Sequence, residues 1–172
     1  MDYLKEFVIP FKGLKEGDHQ FSFKIDERFF EEIDYSELTH GDIRVDLDML
    51  REERMITLIF HFSGNVEVLC DRCASALQQE IKGTKSLFFK IGDEYREESD
   101  EVIILPESEH SINVMQYIYE FIHLLLPVRK VHPKDEQGNS QCDQEVIQRI
   151  DQSKKDNTRD PRWDALKKLK QK

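Results

Sequence analysis

The chain has 172 residues, 38% of them hydrophobic and 35% charged, enough for one modest core under a well-solvated surface, as one domain with or without a tail. No apolar run reaches the roughly 18 residues that would cross a bilayer, and Met1–Glu6 lacks the basic-then-apolar pattern of a signal peptide. Three cysteines, an odd number, do not suit a secreted disulfide framework, so a reducing cytoplasm is the expected compartment.

In chain order, Leu4–Ile9 alternates loosely up to Pro10 and reads as a first strand, followed by a loop to Asp18. His19–Ile25 alternates apolar with polar residues, the period of a strand with one wet face. Asp26 is placed to cap a short helix containing Phe29, Phe30 and Ile33. Strands are expected at Asp42–Leu50, Met55–Phe62 and Val66–Cys70, an antiparallel meander in which Ser63-Gly64-Asn65 supplies the second turn. Ala74–Ile91 reads as helix or strand before a strand at Leu87–Ile91. Asp93–Glu101, crowded with acids, reads as a solvated loop, and Val102–Leu105 as a strand stopped by Pro106.

The clearest helix lies between Asn113, a good N-cap, and Pro127. Met115, Ile118, Tyr119, Ile122, Leu125 and Leu126 form its apolar stripe at spacings of three and four. Beyond it the chain is polar, with at most a short helix around Val146, Ile147 and Ile150. Asp160-Pro161 then makes an N-cap and first-turn pair for a final basic helix, with Trp163, Leu166 and Leu169 on one side. Ser153–Lys172 holds eight basic residues against three acids, a net of +5, which leaves -15 of the total -10 on residues 1–152. An acidic body with a basic tail is a pattern that often serves interactions. The stripe is to be covered either by this protein's own sheet or by a partner, with Arg162, Lys167 and Lys168 meeting phosphate or acidic protein.

The chemistry-bearing residues centre on Cys70-Asp71-Arg72-Cys73 at a strand end. A C-x-x-C pair offers two soft thiolates at a spacing that suits zinc, and His132 with Cys142 supplies candidates for the other two ligands, although the nine residues between them exceed the usual knuckle spacing. The rival reading is a redox pair, with Ala74–Leu77 starting a helix that activates the first thiol. A pair of reduced thiols with no ligand is the plain alternative. His61 reads as a packed strand residue. Glu120 and His123 are helix neighbours with a surface or structural role rather than an acid–base one. No phosphate-binding glycine loop, nucleophile elbow or paired-histidine metalloprotease motif is present, and no residue is assigned a catalytic role.

Three segments taken together resemble a known family. They are Cys70-Asp71-Arg72-Cys73, then Glu120 through Leu124 and Leu126 to Pro127 leading to His132 and Cys142, then Asp160-Pro161-Arg162 with Leu166 and Leu169. In that order they are similar to the C-x-R-C, E-x-x-x-L-x-L-P and D-P-R-x-x-x-L-x-x-L signatures of the YceD family, over roughly residues 60 to 172. Many members carry several cysteines after the L-P motif, where this chain has His132 and Cys142. The resemblance implies a cytoplasmic, non-enzymatic factor in ribosome biogenesis that supports synthesis, processing or stability of 23S rRNA, with a large-subunit precursor as partner.

The expectation is therefore an α+β domain over 1–152, a curved antiparallel sheet packed by the Val114–Leu126 helix, and a basic helical tail over 153–172. Zinc is the one candidate cofactor; membrane and small-molecule substrate are not expected. A zinc or thiol-redox enzyme built on Cys70 and Cys73, and an interaction module unrelated to RNA, are the alternatives.

Overall fold

The computed structural model describes residues 3–156. The expected final helix, with Arg162, Trp163, Leu166, Lys167, Lys168 and Leu169, lies outside the described residues. The class is α+β, and the described residues fall into two compact units, one of residues up to 68 together with 78–128, the other of 69–77 together with 129 onward. The division expected at residue 152 falls inside a helix, α3 (Gln144–Asp156).

The first unit is built on an open six-stranded sheet: β2 (Gly17–Ile25), β3 (Gly41–Arg51), β4 (Met55–Leu69), β5 (Ala76–Gly92), β7 (Val102–Pro106) and β6 (Arg96–Ser99), in that spatial order. β2, β3 and β4 pair antiparallel, β7 runs parallel to β5, and β6 returns antiparallel at one end. Period-two alternation puts Ile43, Val45, Leu47 and Met49 of β3 beside Ile56, Leu58, Phe60 and Phe62 of β4 on one buried face. Each such side chain contributes roughly 1.5 to 3 kcal/mol by leaving water. α2 (Met115–Leu125) covers this face: Phe121 meets Phe60 and Phe62 at 5.3 and 6.3 Å between ring centroids, and Tyr117 meets Phe89 at 5.9 Å. Asn113 contributes the expected cap bond, its Oδ1 accepting from the Met115 amide at 3.0 Å, although Val114 holds the cap position. Asn113 also belongs to β8 (Ile112–Asn113), which pairs with β1 (Val8–Ile9) in a second small sheet. α1 (Glu27–Glu31) is capped by Asp26 as expected and presses Phe29 against Phe7.

Several sequence expectations are corrected. Leu4–Ile9 is mostly a 3-10 turn, Tyr3–Phe7, with only Val8–Ile9 in strand. Ser63-Gly64-Asn65 is no hairpin turn, because β4 continues through it for 15 residues. Gly64 faces Ile43 in register, at φ 153, and a Cβ there would run into the Asp42 carbonyl and the Ile43 Cα. A glycine inside a strand thus marks a close approach of two backbones. Of the helix and strand left open ahead of Leu87, strand is found: Ala76–Gly92 is a single 17-residue strand that includes the expected Leu87–Ile91. The acidic stretch after Gly92 holds β6, whose short, charged, fully exposed character suits a sheet edge. His61 is exposed on the outer face rather than packed, its Nε2 3.1 Å from Asp48 Oδ2 and its Nδ1 3.2 Å from Thr84 Oγ1.

Among the described residues the second unit has no sheet of its own. Residues 129–143 form irregular backbone that leads into α3, a 13-residue helix and so longer than expected. Asp143 opens α3, its Oδ1 accepting from the amides of Glu145 at 2.9 Å and Val146 at 3.3 Å.

Candidate metal centre

The C-x-x-C stretch is shaped by its own backbone. The Cys70 amide donates to the Ser75 carbonyl at 2.9 Å, and the Ala74 amide donates back to the Cys70 carbonyl at 2.8 Å. The turn is completed by Ala74 at φ 56, a left-handed conformation rare outside glycine, which is where tight functional turns store strain. With Ala74 left-handed and β5 opening at Ala76, no helix begins after Cys73, and the helix N-terminus that the redox reading needed is absent.

Asp71 ties this turn to the second segment. Its amide donates to the Lys130 carbonyl at 2.7 Å, and its Oδ2 accepts from the Lys130 amide at 2.6 Å. The nine-residue gap between His132 and Cys142 is closed by a compact hairpin. Asp135 Oδ1 accepts from the amides of Gln137 at 3.0 Å and Asn139 at 2.7 Å, and Gly138 turns at φ 86. The Gln141 amide then reaches the Pro133 carbonyl at 3.1 Å. These amide bonds, led by that from Asn139, hold the Asp135 carboxyl below the usual carboxylate range. The gap is longer than the usual knuckle spacing, and Asp135 and Gly138 are the turn formers that close it.

The result is that Cys70, Cys73, His132 and Cys142 offer four ligand atoms all within 4.8 Å of one another. The Sγ atoms of Cys70 and Cys142 are 3.9 Å apart, and Cys73 Sγ lies 3.4 Å from His132 Nδ1. A tetrahedral zinc with bonds of about 2.3 Å to sulfur and 2.0 Å to nitrogen requires S···S of about 3.8 Å and S···N of about 3.5 Å. The donor set therefore fits zinc. His132 is also oriented as a metal ligand is, with its remaining nitrogen, Nε2, 3.0 Å from the Ala76 carbonyl.

Electrostatics agree with the geometry. Burial would push the Cys70 thiol up, but the amides of Arg72, Cys73 and His132 directed at its sulfur bring it down to about 6. Burial opposes the same trend at Cys73, where the amides of Asp143 and Ser75 prevail and the thiol is lowered. His132 is held above its ordinary value, chiefly by the Cys70 sulfur and against burial. Cys142 is raised: the Ser140 hydroxyl would lower it, but burial and the other two sulfurs win. A cluster of amides aimed at sulfur favours the thiolate form a soft metal binds.

The remaining sequence-predicted residues lie elsewhere. In the first unit, Glu120 accepts from Gln116 Nε2 at 2.8 Å, while His123 Nδ1 lies 3.0 Å from the Tyr119 carbonyl, so the two do not form an acid–base pair. Leu126 ends α2 as its C-cap, and Pro127 follows it. Asp71, Asp135, Ser140 and the Ala76 carbonyl were not singled out from sequence, and they are what positions the four ligands.

Together these features define an α+β sheet protein that carries a cluster of three buried cysteines and one half-buried histidine on a separate unit. The family described as "Large ribosomal RNA subunit accumulation protein YceD" matches over residues 58–170, well over half of the chain, and the chain belongs to that family. No curated protein and no solved structure matches the chain. Among the described residues no helix is long and apolar enough to cross a membrane.

Proposed function

We propose that this protein is a non-catalytic, cytoplasmic factor supporting the synthesis, processing or stability of 23S rRNA, and that its second unit is held together by one zinc ion. The ribosomal part rests on family membership. The observation that carries the rest is the composition of the second unit's interior. Among the described residues of that unit, the buried side chains are Cys70, Cys73, Leu77 and Cys142. Three thiols and one leucine are too little apolar surface to offset the ordering of the loops around them. A metal bound by those thiols and His132 supplies the missing free energy, as in small domains that fold only with zinc. Four protein ligands also leave a tetrahedral ion no open position, which is the arrangement of a structural rather than a catalytic site.

Two measurements test the reading separately. Sedimentation of cell extract is expected to show the protein travelling with large-subunit precursors; a protein found only at the top of the gradient at low salt contradicts the ribosomal role. Elemental analysis of freshly purified, reduced protein is expected to find about one zinc per chain. Metal-free protein with the second unit still ordered contradicts the structural zinc.

A further inference from the structure

The first unit carries a groove that neither the zinc cluster nor the family match accounts for. It lies between α2 and the β6–β7 end of the sheet and has a volume of about 720 Å³. Tyr95, Tyr117 and Tyr119 line it with Glu97, Asp100 and Glu120, and the lining includes no lysine or arginine. Among the described residues none of the three carboxylates is ion-paired. Two large side chains beside them are left in water: Tyr95 is 56% exposed and Leu124 is 65% exposed. The tyrosines are held in place by their surroundings. Tyr95 donates its hydroxyl to Glu97 at 3.0 Å, Tyr117 stacks edge-on against Phe89 at 5.9 Å, and Tyr119 meets the His123 ring at 4.3 Å.

The rings of Tyr95 and Tyr117 beside carboxylates that carry no ion pair are the chemistry that receives cationic side chains, through cation–π contact and charge-assisted hydrogen bonds. Leu124 suits the aliphatic stems of such side chains. The same carboxylates repel phosphate, which argues for polypeptide over nucleic acid as the occupant. We propose that this groove binds a lysine- and arginine-rich polypeptide segment of another protein, of the kind that nucleic-acid-binding proteins carry because phosphate contact demands those residues. The proposal goes beyond the rRNA reading and stands on the groove's own chemistry.

The test uses the full chain and a fluorescein-labelled oligoarginine peptide, with binding followed by anisotropy at physiological salt. Combining Glu97→Gln, Asp100→Asn and Glu120→Gln is expected to weaken binding at least about tenfold. Removing the same charge elsewhere, with Asp18→Asn, Asp42→Asn and Glu80→Gln, is expected to change it less than about twofold. Tyr95→Ala is expected to weaken binding about threefold or more, with Tyr95→Phe retaining it, since the ring face and not the hydroxyl meets the cation. Oligolysine is expected to bind more weakly than oligoarginine, whose planar head stacks on tyrosine. Equal losses in both charge variants would overturn the proposal in favour of diffuse attraction. A chain carrying Arg162→Gln, Lys167→Gln and Lys168→Gln that binds the peptide about tenfold more tightly would also overturn it, showing that the protein's own tail is the occupant. Unchanged melting temperatures for the variants confirm that the losses arise at the groove.

Discussion

The two units of this chain reach order by different physics. In the first, residues such as Phe29, Leu58, Phe60 and Phe89 are sealed from water between sheet and helices. In the second, the buried residues among those described are mostly cysteines, and the backbone around them is turns and short hydrogen-bonded loops. Hydrophobic burial scales with apolar area and is non-directional, so it tolerates imperfect geometry. Ligand coordination is directional, so on the zinc proposal the second unit would depend on the placing of a few atoms. The loops that arrange those atoms are tied by backbone amides that donate to the Asp71 and Asp135 carboxylates.

The largest effect is expected from breaking the second unit alone. Cys142→Ala removes one ligand of four, and structural zinc in comparable sites contributes on the order of 10 kcal/mol. Metal content is expected to fall well below one per chain, with loss of protection at the amides of residues 129–143. Breaking the first unit alone should give the opposite result. Phe60 is fully buried against Phe121, and Phe60→Ala should cost about 3 to 5 kcal/mol in thermal unfolding of the sheet, with metal stoichiometry unchanged.

A smaller effect is expected at Gly64, where the added methyl of Gly64→Ala meets the β3 backbone and a left-handed φ. It should cost about 1 to 3 kcal/mol, while Gly13→Ala, at a position with open space, should be nearly neutral. The smallest effect concerns Asp26. Its carboxyl is held below the ordinary Asp value, chiefly by the Arg28 side chain. A carboxyl lowered in the folded state stabilises above its unfolded value, and that contribution is lost as pH falls through the folded one. Asp26→Ala should therefore cost roughly 0.5 to 2 kcal/mol at neutral pH, with the difference from wild type shrinking below about pH 4.

Sequence revealed the first unit better than the second because its signals are local and repeated. The alternation in His19–Ile25 and Asp42–Leu50 and the three-four spacing after Asn113 each name an element directly. It failed at Gly64, where turn-like composition was in fact a demand of the neighbouring strand. It failed again at Leu4–Ile9, where loose alternation over six residues does not separate strand from a tight turn. The four ligands were legible as residue types, yet their convergence was not. That depends on a hairpin between Pro133 and Gln141 and on the Asp71–Lys130 bonds, which join positions 59 residues apart.

The most direct test of the account is hydrogen exchange on the reduced full chain, before and after a zinc chelator. Chelation is expected to open the amides of residues 69–77 and 129–143 while those of β3 and of Met55–Phe62 in β4 keep their protection. Unchanged protection in residues 69–77 and 129–143 after complete metal removal would contradict the claim that a metal, and not an apolar core, holds the second unit together.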